Sequence, residues 1–96
     1  LLQRIEQAIA LDARRREEDA KHARTEERLG RLTPREREIM ELVVAGHPNK
    51  RIAAMLCRSE KTVEIHRANV MQKMEAGTLA ELVREAEVHH QLANRR

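Results

Sequence analysis

SEKTVEIHRANVMQKM, Ser59 to Met74, opens on a residue type that caps helices and continues without Gly or Pro. At about 100° per residue, Val63, Val70 and Met74 fall within about 20° of one direction and form a seam for burial. Lys61, Ile65, Ala68 and Gln72 lie on the opposite side, flanked by Thr62, Glu64 and Asn69. Arg67 sits nearer the seam, from which its long side chain could snorkel toward Glu38 or Glu41. His66, at the edge of the seam, reads as a packed, hydrogen-bonded histidine, and Met71 and Met74 as gap-fillers.

Upstream, the short turn Cys57-Arg58-Ser59 joins this helix to one with Ile52, Ala53 and Leu56 inward, for which Asn49 is the candidate cap. His47-Pro48 makes the preceding turn, after Gly46 ends another helix. That helix starts at Thr33-Pro34-Arg35-Glu36, which supplies an N-cap, a Pro in the first turn and a capping-box Glu. Ile39, Met40, Leu42, Val43 and Val44 follow. Thr78-Leu79-Ala80-Glu81 repeats the capping-box pattern after Gly77 and starts a helix carrying Leu79, Leu82, Val83 and Ala86. At the N-terminus, LLQRIEQAIALD places Leu2, Ile5 and Ile9 at helical spacing and gives way to the charged ARRREEDAKHARTEERLG. This predicts one long helix ending near Gly30. A heptad seam in its second half would have to use Arg16, Asp19 and Glu26, so the segment reads as a solvated connector rather than a dimerising coil. With no strand pattern and no repeat, the chain is expected to be all-α, with a linker helix over 1–30 and a compact helical domain over 31–96.

The 96 residues have room for one small core, and the lack of Phe, Tyr and Trp makes that core aliphatic. It also removes the aromatic platforms on which single-stranded bases stack, which argues against RNA-recognition and OB-type binders. Cys57 is the single cysteine, so no internal disulfide is available and a reduced, cytoplasmic setting is expected. No apolar run approaches the length of a membrane span. The chain opens on Leu1 rather than Met, so further sequence upstream is expected.

Charge is distributed unevenly. Residues 1–30 hold seven basic and seven acidic side chains. From His47 to Lys73, six cations (Lys50, Arg51, Arg58, Lys61, Arg67, Lys73) face only Glu60 and Glu64. The middle of the chain is a basic island, as a phosphate-binding surface requires. Two helices joined by a short turn, the second with a mixed polar and small-residue face inside that island, describe a helix-turn-helix. Ala68 allows close approach to a major groove, Ile65 suits a thymine methyl group, Lys61 reaches base-edge acceptors and Glu64 can accept from cytosine N4. Asn49, Lys50, Arg58, Ser59, Thr62, Asn69, Gln72 and Lys73 complete the candidate DNA contacts. By periodicity alone, an ordinary solvated face on a small bundle explains the same pattern, and a helical protein-interaction module remains a competing function.

LTPREREIMELVVAGHPNKRIAAMLCRSEKTVEIHRANVMQKM followed by TLAELVREA closely resembles the LuxR-type helix-turn-helix family, and within it the FixJ-like output domains of response regulators. The resemblance covers residues 32–86, with LTxRE, the Gly before the turn, NKxIA, SxxTVExHRANVMxKM and AELVR in order. It implies a four-helix domain that binds double-stranded promoter DNA, usually as a homodimer through its fourth helix. Leu79, Leu82, Val83 and Ala86 are accordingly the dimerisation candidates. It also implies an upstream receiver domain whose end is Leu1 to Asp12, and RNA polymerase as a further candidate partner. Sigma-factor region 4 pairs a similar LTPRER helix with a helix-turn-helix, but it generally ends near the recognition helix. Cys57 and Arg58 depart from the family pattern, which usually has Gly or another residue and then an aliphatic one; Cys57 is read as a small, semi-buried residue and Arg58 as an added phosphate contact. No nucleophile, base and orienting group converge, so no enzyme, cofactor or metal is expected, and the adjacent His89 and His90 do not share a helix face.

Overall fold

The computed structural model describes the backbone of residues 2–94 and the side chains of 9–91 and 94. The expectations resting on Leu1 and on the side chains of Leu2 and Ile5 lie outside these. Five helices follow in order: α1 (Leu2–Gly30), α2 (Pro34–Val44), α3 (Asn49–Leu56), α4 (Glu60–Lys73) and α5 (Leu79–Asn94), with no strand among the described residues. The chain is all-α, as read. Its 64 × 22 × 21 Å envelope reflects α1, whose described side chains from Ile9 to Lys21 are all exposed.

The core lies among α2, α3, α4 and α5. Ile39, Met40, Ile52, Val63, Val70, Met74 and Leu82 are each essentially inaccessible to solvent. Full burial of such a side chain stabilises by roughly 1.5–3 kcal/mol, and seven of them supply what aromatic residues provide elsewhere. The core also reaches back into α1. Thr25 and Leu29 are buried, and Arg37 donates to the Leu29 carbonyl (3.0 Å), so the edge of the packed unit lies inside the segment expected to be linker.

The helix starts follow the sequence with two departures. Thr33 and Glu36 form the full capping box, and Ser59 and Thr78 accept from the N–H groups of Thr62 (3.1 Å) and Glu81 (3.2 Å). Before α5 the reciprocal bond moves by one residue, because the Glu81 carboxylate accepts from the Gly77 N–H rather than from Thr78. Asn49 does not cap α3. Pro48 takes the N-cap position with no side-chain bond, and the Asn49 amide oxygen accepts from Arg67 instead (3.0 Å).

Three successive helices end in one way. After α2, α3 and α4 the chain enters the left-handed region at Gly46 (φ 97), Cys57 (φ 54) and Glu75 (φ 54). The next N–H in each case returns to a carbonyl five residues back: His47 to Leu42, Arg58 to Ala53 and Ala76 to Met71. These are Schellman closures, which satisfy the last carbonyls of each helix and favour Gly at the left-handed position. Cys57 is exposed there, not semi-buried as the sequence suggested, because the turn directs the residue away from the core.

Candidate nucleic-acid interface

The α3–α4 turn presents one face of α4 outward. Val63, Val70 and Met74 are buried at 0–1% exposure, while Lys61, Glu64, Ile65, Ala68 and Gln72 are exposed, as their angular positions require. Thr62 and Asn69 flank them, half-buried. Ile65 is 55% exposed. A branched apolar residue in the middle of a polar face gives α4 apolar groups on both sides, unlike a helix that merely covers a core. At its start, the Ser59 and Thr62 hydroxyls lie 2.8 Å apart and satisfy each other, which fixes both side chains at the tip.

The basic island divides in two. Lys50, Arg51, Arg58 and Lys61 are exposed and take part in no ion pair among the described residues. Arg67 and Lys73 are turned inward. The Arg67 guanidinium binds Asn49 at the start of α3, not Glu38 or Glu41, whose partners are Arg35 and His90. Lys73 Nζ lies 2.6 Å from Glu36 Oε1, a carboxylate with 4% of its side chain exposed. Burial alone would push the Glu36 carboxyl up; Lys73, the Thr33 backbone N–H (2.9 Å) and the Thr33 hydroxyl together hold it below its ordinary value. Helical position set Arg67 apart from the other cations in the sequence, though toward Glu38 or Glu41 rather than Asn49; the inward turn of Lys73 was missed, since charge counts carry no partners.

Glu64 has no ion-pair partner among the described residues, Lys61 included. The carboxylate that flanks the outward row is uncommitted among the described residues. His66 is half-buried, but its Nδ1 is buried without a hydrogen-bond partner, so the expected bond at that nitrogen is not made. On α5, Leu82 and Ala86 are fully buried in the chain's own interior, which removes them from a partner surface. Leu79, 45% exposed, and the half-buried Val83 remain available. Among the described residues no group of three or more metal-ligating side chains comes together, and no helix is long and apolar enough to cross a membrane.

The family model for bacterial regulatory proteins of the luxR family matches residues 30–86, more than half of the chain and all of the α2–α4 core. The chain belongs to the luxR family. FixJ of Rhizobium meliloti is 58% identical over 59 residues, which cover 62% of this luxR-family chain and 29% of FixJ. The tetrathionate response regulatory protein TtrR of Salmonella typhimurium is 54% identical over 56 residues, covering 58% of this chain and 27% of TtrR. Nodulation protein W of Bradyrhizobium diazoefficiens is 41% identical over 87 residues, 91% of this chain and 38% of that protein. Among solved structures, the response regulator StyR superposes with a TM-score of 0.80 at 40% identity, over 91% of this chain and 44% of StyR. Full-length FixJ from B. japonicum gives 0.73 at 41% identity, over 95% and 45%. The chain thus spans between about a quarter and two fifths of the curated relatives' lengths. The family is one of regulators, in keeping with the absence of a catalytic constellation in the sequence.

Proposed function

We propose that this chain is the DNA-binding output end of a response regulator, and that the outer face of α4 enters the major groove of double-stranded promoter DNA. The observation that carries the reading is the exposed row Lys61, Glu64, Ile65, Ala68 and Gln72, beside Lys50, Arg51 and Arg58; none of these cations has an ion-pair partner among the described residues. Ile65 and Ala68 supply apolar and close contact, Glu64 accepts from cytosine N4, and Gln72 reaches base-edge groups. Lys50, Arg51, Arg58 and Lys61, with Ser59, Thr62 and Asn69 at the margins, meet the phosphates. Asn49 takes part through Arg67. Lys73 stands apart, its ammonium engaged by Glu36.

The relatives that are response regulators extend well beyond the matched segment, which supports an upstream receiver domain joined through α1. Pairing of two copies on DNA would use Leu79 and Val83 of α5, and promoter binding would bring RNA polymerase within reach in the cytoplasm.

Selection from a randomised duplex library tests the reading. The wild-type chain should recover a consensus. Glu64→Ala should lose stringency at one cytosine-containing position, at a cost of roughly 1–3 kcal/mol on the preferred site and little on random DNA. A wild-type selection without consensus would refute sequence-specific binding, and a variant with unchanged stringency would remove Glu64 from base readout.

A further inference from the structure

The end of α1 is built into the fold by more than apolar contact. The Thr25 hydroxyl donates to Glu85 of α5, and Arg28 spans two acids: Nη1 to Glu85 Oε1 (3.3 Å) and Nε to Glu75 Oε2 (3.0 Å). Arg31 Nη1 reaches the same Glu75 oxygen (3.1 Å) and the Lys73 carbonyl (3.4 Å). Glu75 and Lys73 belong to the C-terminal closure of α4, the helix that carries the outward row.

Glu75 also occupies a left-handed backbone position, φ 54, where glycine is conformationally cheapest. The neighbouring Gly77 shows that a glycine occurs in this segment, yet the left-handed residue carries a carboxylate instead. Exposed ion pairs contribute little to stability, so two of them are a poor return for that backbone conformation. Their geometric effect is larger, because they join the last turns of one long helix to the end of another. Arg28 first, and then Arg31, hold the Glu75 carboxyl below its ordinary value.

We propose that the last two turns of α1 are a positioning element for α4: Arg28 and Arg31 clasp Glu75 and the Lys73 carbonyl and hold the C-terminal end of α4 in the orientation that meets DNA. The proposal rests on the reading of α4 as the DNA-contacting helix. Linkage makes the coupling reciprocal, so docking of α1 favours DNA binding and DNA binding favours docking of α1. A torque applied to the N-terminal part of α1 would then reach α4 through this clasp.

The test exploits opposite signs. On electrostatics alone, removing an acid near a DNA-binding face strengthens binding, because phosphate repulsion falls and two arginines are freed. The clasp predicts the reverse: Glu75→Gln and Glu75→Gly in the 96-residue chain should each weaken duplex binding roughly three- to ten-fold at fixed salt, with an unchanged log–log salt slope. The glycine variant relieves the backbone conformation, so misfolding does not explain a loss there. Without DNA, amide hydrogen exchange over residues 25–31 should accelerate in both variants. Tighter or unchanged binding, or unaltered exchange, would overturn the proposal. A wild-type chain that binds no duplex at low salt would sink the DNA reading itself, while faster exchange in the variants would still uphold the clasp.

Discussion

Replacing Lys73 with Met removes the ammonium from Glu36 and leaves the helix surface otherwise similar in length. Stranding one member of a buried ion pair costs about 3–5 kcal/mol when nothing else compensates. Here Glu36 keeps the Thr33 N–H bond at 2.9 Å, and the Lys73 side chain is 35% exposed, so part of the pair is already solvent-screened. A loss of about 2–3 kcal/mol follows, equivalent to roughly 10–20 °C in Tm for a domain of this size. The pH dependence gives a sharper signature. In the wild type the folded-state Glu36 pKa is lowered, so its contribution is full above the unfolded carboxylate value and is lost as pH falls through the folded one. In Lys73→Met the carboxyl loses the ammonium that lowers its pKa while burial still raises it, so the pKa lies above its wild-type value and protonation relieves the variant. The Tm difference between the two proteins should therefore shrink between pH 7 and about pH 4. Thermal melts monitored by circular dichroism across that range decide the matter. A Tm within error of wild type, together with a reduced DNA salt slope, would show that Lys73 contacts phosphate and not Glu36.

Two further perturbations probe the local structure. Cys57→Gly should raise stability by roughly 0.5–1 kcal/mol, or a few degrees in Tm, because glycine takes the left-handed position more readily; Gly46→Ala, at φ 97 with open space for a methyl group, should shift Tm the other way. An unchanged Tm for both would refute the Schellman account of these turns. Removing residues 1–20 should leave the melting transition intact, whereas removing 1–30 takes away Thr25 and Leu29 and should lower it, with about 2–5 kcal/mol expected for loss of a buried leucine alone. Equal melting of the two truncations would restore the boundary at Gly30.

Local chemistry was the legible part of the sequence. The capping pairs Thr33–Glu36 and Thr78–Glu81 have three-residue spacings that the helix geometry enforces, and the outward row of α4 follows from helical periodicity. What needed coordinates was the choice of partners. Lys73 looks like Lys61 in the sequence, and the seam position of Arg67 names no partner; tertiary packing brings acceptors on α3 and α2 to Arg67 and Lys73. Asn49 is a favoured cap residue, but the extended Pro48 takes that position and frees its amide for Arg67. The domain edge was hidden because the buried stripe of α1, Thr25 and Leu29, is two residues wide and lies among charges. Cys57 and Glu75 gave no sign of their left-handed backbone, since side-chain composition does not report φ at a residue other than glycine.

The central claim is that the cations of the α3–α4 segment with no ion-pair partner among the described residues face DNA. It is tested most directly by titrating duplex binding against salt. If Lys50, Arg51, Arg58 and Lys61 each neutralise one phosphate, log K should fall with log salt at a slope of about −3.6 per domain, that is, four contacts at about −0.9 each. Arg58→Ala or Lys61→Ala should reduce its magnitude by about 0.9, while Arg67→Met should leave it unchanged, because Arg67 is bound to Asn49. A slope near zero in the wild type, or one that responds to Arg67 and not to Arg58 or Lys61, would contradict the account.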